Sequence, residues 1–204
     1  MAGDRPPMAQ ATSEEAMRAV TIGELQVLGG PVHLAEYDPA WPALFEREAA
    51  RIRAALGDRV RLLEHVGSTS VPRLAAKPII DILLAVPDSS DEAAYVEAME
   101  AAGYVLRIRE PEWLEHRLFK GPDTSVNVHV FTDGSPEIAR MLAFRDCLRN
   151  HDDERLLYER AKRELAARDW KYVQHYADAK TEVVEGIIER ALAAEMMQAA
   201  SDPA

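Results

Sequence analysis

The chain has 204 residues, 48% of them hydrophobic, which suits one domain of ordinary size and excludes disorder along its whole length. Acidic residues outnumber basic ones by 35 to 24, for a net charge of -11. Coating of nucleic acid or anionic lipid is therefore disfavoured, and an anionic ligand must meet a local basic cluster. No run approaches the roughly 18 apolar residues of a membrane span. The start MAGDRPPMAQ has no signal pattern, and the lone Cys147 suits a reducing compartment, so a cytoplasmic protein is expected.

Residues 1–19 read as a mobile leader and 198–204 as a flexible tail, leaving one domain over 20–197. In chain order, 32–37 is predicted as a short strand. Asp38 and Pro39 then cap a helix that runs through Trp41, Phe45 and Ile52 to Leu56 and is closed by Gly57. Residues 59–66 read as a strand, GSTS at 67–70 as a turn, 71–76 as a short helical turn and 78–86 as an apolar strand. A helix over 91–102 closes at Gly103, before strands at 104–108, 117–120 and 125–131. From Pro136 the pattern is nearly all helix, with breaks near Asn150 and over 169–175. The expected class is α/β (α+β): a mixed sheet over 32–131, flanked by helices, with a helical segment over 136–197.

Two features carry chemistry. Gly67 allows close backbone approach to a phosphate, and Ser68, Thr69 and Ser70 offer hydroxyls at the start of a short helical turn. Taken alone, GSTS also reads as a plain capped turn. Asp81 lies among Ile79, Ile80, Ile82, Leu83 and Leu84, where a carboxylate is costly without a metal, a cation or hydrogen bonds. It serves either a ligand or the turn itself, through the GSTS backbone or a partner such as Lys77.

The stretch HVGSTSVPRLAAKPIIDILLAV at 65–86 resembles the hallmark of the GrpB family, bacterial proteins with a nucleotidyltransferase-like fold. EYDPAW at 36–41, GY at 103–104, NVHVF at 127–131, FRDCLRNH at 144–151, and Tyr176 with Lys180 extend the match over about 32–190. Arg73 stands where the family pattern VPGL has glycine. The expected ligand is a nucleotide or another phosphorylated small molecule at Gly67–Ser70, and the resemblance implies Lys77, Arg145, Lys162 and Lys180 as the basic residues that meet it. The resemblance leaves open a metal-dependent nucleotidyltransferase or an inactive binding module. Some family members are fused to dephospho-CoA kinase, which points the second reading toward coenzyme A metabolism.

Nucleotidyl transfer generally uses two divalent ions about 4 Å apart, held by several carboxylates. Here Leu83 occupies the same-face position after Asp81, and His129 stands where a third acid is expected. Asp81 and His129, helped by His65 or Glu64, are the candidates for one divalent metal, Mg²⁺ or Mn²⁺ before Zn²⁺, or for an acid and base pair. Either histidine also reads as a hydrogen-bonded core residue. A single-metal hydrolase would require His65, Asp81 and His129 to converge. Trp113, Trp170, Tyr172 and Tyr176 are candidates for stacking on a base or for the core, and Arg149, Arg155, Arg160 and Arg163 for solvated faces.

Overall fold

The computed structural model describes residues 11–123 and 125–201. Five strands, β1 (Leu62–Val66), β2 (Ile80–Val86), β3 (Val105–Glu110), β4 (His116–Lys120) and β5 (Val126–Thr132), form one sheet in the order β1-β2-β5-β4-β3. β2 and β5 are parallel and every other pair is antiparallel. Alternation along β2 and β5 divides the sheet into two unlike faces.

One face is closed. Helix α1 (Glu14–Val20) is followed in the chain by α2 (Trp41–Leu56), whose Trp41, Phe45, Ala49, Ile52 and Leu56 recur at helical spacing. They pack on Ile80, Ile82 and Leu84 of β2 and on Val126, Val128 and Val130 of β5, with Met99 of α3 (Val96–Ala101). The other face carries Asp81 and Leu83, then Asn127, His129 and Phe131 in register beside them. It is covered by α4 (Pro136–Asn150), α5 (Asp152–Ala166), α6 (Val173–Asp178) and α7 (Thr181–Ser201). Val71, Leu74, Cys147, Leu148, Tyr158 and Ile187 seal the segment after the GSTS turn against α4, α5 and α7. Burial raises the pKa of the Cys147 thiol, so it packs as a small apolar group.

Several boundaries differ from expectation. Part of the predicted leader is built in: Ser13 Oγ caps α1 by accepting the Ala16 N–H at 3.1 Å, and Met17 is buried. Residues 1–10 lie outside the described residues. Residues 32–37 are not a strand, because only Ala35 bridges to Ala76, through hydrogen bonds of 2.8 and 2.9 Å. Asp38 does not cap α2 directly. Its carboxylate accepts the Ala40 N–H at 2.8 Å, and Ala40 is the cap.

A 3-10 turn at Gly57–Arg59 delays β1 to Leu62. The predicted helix at 91–102 is broken at Tyr95, whose hydroxyl donates to Ser89 O at 2.7 Å. Residues 71–76 are not helical, because Arg73 takes a left-handed φ of 68° and turns the chain toward Ala76. At the other end, α7 runs on to Ser201, through part of the predicted tail. Arg155 is buried and paired with Asp152 rather than solvated.

Candidate functional site

The junction of β1 with the GSTS turn sets the geometry. Gly67 has a φ of 65°, and a Cβ there would meet Asp81 Oδ2 at 2.5 Å, so the glycine both turns the chain and makes room for the carboxylate. Ser70 Oγ donates to Gly67 O (2.7 Å) and Thr69 Oγ1 to Ile79 O (3.0 Å), so these two hydroxyls hold the turn. Ser68 is used differently. Its hydroxyl accepts from Lys162 Nζ at 2.8 Å and is shared with the Tyr158 hydroxyl.

Lysines gather there. Lys162 also donates to Ala75 O (2.5 Å) and lies 4.9 Å from the Tyr158 ring centre. Lys180 is 4.5 Å from the Tyr176 ring and 6.0 Å from that of Tyr158, and Lys77 is 5.8 Å from Tyr176. Lys120, at the exposed rim, donates to Asn127 Oδ1, and Asn127 in turn donates to Asp81 Oδ1 at 2.7 Å.

Burial, and then the charge of Lys180, pull the Lys162 ammonium down to about 7. Burial takes Lys180 to about 8, and burial and Lys180 lower Lys77. Burial opposes ionisation of Asp81 as well, but His129 when it carries its second proton, then the Asn127 amide and Lys77, hold its carboxyl below the ordinary range. The result is a cluster of lysines gathered around the Asp81 carboxylate, with Glu159 also acting on Lys162. The Tyr176 hydroxyl, fully buried against it, has no hydrogen-bond partner among the described residues.

The structure brings together Gly67, Ser68, Lys77, Asp81, Lys162 and Lys180 from the expected set, with His129 at the edge. His129 Nε2 is 3.8 Å from Asp81 Oδ1, beyond hydrogen-bond reach. Two expected residues fall elsewhere. His65 points to the closed face, stacks on Phe45 with ring centres 4.9 Å apart, and shares a hydrogen bond with Thr69 Oγ1. Burial and the nearby Arg149 lower it to about 4, a neutral packing residue. Arg145 ties α4 to β1 by donating to Glu64 Oε2 (2.7 Å) and His65 O (3.2 Å), and it also pairs with Asp146.

His65, Asp81 and His129 therefore do not converge. Among the described residues no group of three or more His, Cys, Asp or Glu is placed to hold a metal. With Leu83 buried in the apolar cluster of Val66 and Phe131, and lysines around Asp81, this donor set does not fit the divalent ions of nucleotidyl transfer. Tyr158, His116 and Glu110 were not anticipated from sequence. Tyr158 sits at helical spacing that reads as core, and a strand predicted to begin at 117 leaves out the pairing of His116.

Fold and site together define a mixed α/β domain with a cluster of lysines around Asp81 on one face of its sheet. The chain belongs to the GrpB family, whose model, described as GrpB protein, matches residues 31–190. A UPF0157 protein of Halalkalibacterium halodurans is 56% identical over 191 residues, covering 91% of this chain and 98% of that protein. The crystal structure of conserved protein GrpB from Enterococcus faecalis matches with a TM-score of 0.70 and 32% identity, over 80% of this chain and 99% of that one. A dephospho-CoA kinase of Mycolicibacterium paratuberculosis is 31% identical over 176 residues, 74% of this chain but 43% of that protein. No helix among the described residues is long and apolar enough to cross a membrane.

Proposed function

We propose that this chain binds a phosphorylated small molecule, its phosphate seated against Gly67 and Ser68 among Lys77, Lys162 and Lys180. One observation carries the reading: three lysines are drawn out of water around the Asp81 carboxylate in a protein of net charge -11. Such a cluster is costly until an anion compensates it, and a phosphate dianion answers the excess charge. The rings of Tyr158 and Tyr176 are taken by ammonium groups, so they serve the cations rather than a stacked base. Asp81 and His129 stand beside that seat as the pair to hold a proton at the ligand.

Leu83 in place of a second acid favours binding without nucleotidyl transfer, as a binding or accessory module. The similarity to part of a dephospho-CoA kinase makes coenzyme A precursors the first organic phosphates to try. The test is thermal stabilisation by inorganic phosphate, nucleotides and coenzyme A precursors, with and without Mg²⁺ or Mn²⁺, in wild type, Lys162→Met and Asp81→Asn. Phosphate compounds are expected to raise the melting temperature of the wild type and to lose that effect in Lys162→Met. No rise with any of them in the wild type overturns the reading. Metal-dependent pyrophosphate release from a nucleoside triphosphate would instead establish a transferase.

A further inference from the structure

A line of hydrogen bonds runs along the pocket face from the far side of the sheet. Glu110 Oε2 meets His116 Nδ1 at 2.7 Å, and His116 Nε2 meets His129 Nδ1 at 3.2 Å. His129 Nε2 then faces Asp81 Oδ1 at 3.8 Å. The arrangement is built rather than incidental. Glu110 and His116 are paired across β3 and β4, and the two imidazoles are nearly parallel, 5.3 Å apart. Between Glu110 and His116 the chain reverses through Leu114 and Glu115, both with left-handed φ (54° and 51°). This unfavourable backbone returns Trp113 edge-on to His116, with ring centres 5.1 Å apart.

The polarity of the line follows from its first member. An ionised carboxylate only accepts, so His116 must donate from Nδ1. A neutral imidazole has one N–H, so His116 Nε2 accepts and His129 must donate from Nδ1. The other nitrogen of His129, Nε2, is then a bare acceptor. Lys120 sets the other side in the same way: by donating to Asn127 Oδ1 it turns the Asn127 amide N–H toward Asp81. Asp81 Oδ1 and His129 Nε2 end as two acceptors that cannot satisfy each other.

We propose that, in the state where both imidazoles are neutral, Glu110 and His116 lock His129 in its Nδ1–H tautomer, and that its bare Nε2 and Asp81 Oδ1 form an acceptor notch for a hydroxyl of the ligand. The ligand class is a phosphorylated alcohol or sugar: phosphate on the lysine side, hydroxyl at the notch. This rests on the phosphate reading above, and Glu110 and His116 act as positioning residues.

The tautomer is read directly, without ligand, from long-range ¹H–¹⁵N spectra of uniformly labelled protein at about pH 9, above the ordinary imidazole range. The expected pattern is Nδ1–H on His116 and His129, with His129 reverting to Nε2–H, the form free imidazole prefers, in His116→Phe and in Glu110→Leu. An Nε2–H signal for His129 in the wild type overturns the lock. For the notch, glycerol 3-phosphate and methyl phosphate offer the same phosphate with and without hydroxyls. The first is expected to bind wild type about five- to tenfold tighter, with the preference gone in His116→Phe, which releases the His129 tautomer, while methyl phosphate binds that variant as it binds wild type. Equal binding of both by wild type overturns the notch. If neither binds, the phosphate seat itself fails, and the lock stands or falls on the spectra alone.

Discussion

The two faces of the sheet use the same strands to opposite ends. Toward α2 and α3, alternate residues of β2 and β5 are Ile, Leu and Val, and the one imidazole on that side, His65, is held neutral. Toward the C-terminal helices the intervening positions include Asp81, Asn127 and His129 beside the apolar Leu83, Ala85 and Phe131, with lysines contributed by α5 and by the turn between α6 and α7. The first arrangement spends its area on cohesion. The second gives up cohesion to keep charges close together, which is the mark of a surface shaped for something other than folding.

That contrast breaks most sharply at Ile82, fully buried on the closed face. Ile82→Ala is expected to lower unfolding free energy in urea by about 2–5 kcal/mol while phosphate binding of the folded protein stays unchanged. A large loss of phosphate affinity with little loss of stability would mean that the faces are not separable. His65 gives the next largest effect, and it depends on pH. Its folded pKa, about 4, lies below the ordinary 6.5, so the unfolded chain binds the extra proton first. Stability is therefore expected to fall as pH drops from about 6.5 to 4, by on the order of 2–3 kcal/mol, and then to level off as far as this group is concerned. His65→Asn should flatten that limb of a pH series of denaturation curves.

How much of this was legible in the sequence also differs between the faces. Alternation in IIDILLAV and SVNVHVF located both strands and assigned Asp81, Asn127 and His129 to one side, because strand geometry fixes facing from spacing alone. His65 was misplaced because neighbours in sequence on adjacent strands can occupy opposite faces. Only the β1–β2 register, with His65 opposite Ile82 rather than Asp81, decides which. Arg145 looked like a ligand for anions because sequence does not show that the adjacent Asp146 and the distant Glu64 both turn onto its guanidinium. The lysines were found through the family resemblance, not through periodicity. A buried Lys162 on α5 shows the same helical spacing as a solvated one, and only the fold brings Ser68, Ala75 and the Tyr158 ring against its ammonium.

The pocket face yields the opposite pH behaviour. Lys162 is about 7 in the folded protein against an ordinary 10.5, so between those values the unfolded chain holds a proton that the folded chain lacks. Stability should accordingly rise with pH from about 7 to 10.5 in ligand-free protein. Lys162→Met should remove that rise and stabilise the protein near pH 6 by roughly 1 kcal/mol, since it replaces a buried charge with a side chain of similar length. Phosphate at saturating concentration should flatten the same limb in the wild type. A pH-independent stability over this range would show that the lysine charge is not costly in the fold, and would blur the difference between the two faces.

The smallest effect probes the hinge between them. Arg73 takes a left-handed φ of 68°, a conformation that glycine adopts freely and that costs a residue carrying a Cβ. Its guanidinium does not join the lysines; it pairs with Asp152 at 2.9 Å with both side chains largely exposed, an interaction worth about 0–1 kcal/mol. Relief of the left-handed conformation should slightly exceed that loss. Arg73→Gly is expected to stabilise the protein by about 0.5 kcal/mol and to leave phosphate affinity within about twofold of wild type. Destabilisation by more than about 1 kcal/mol would show instead that the link from Arg73 to α5 holds the turn segment in place. The lysine on α5 would then depend on that link for its position over Ser68.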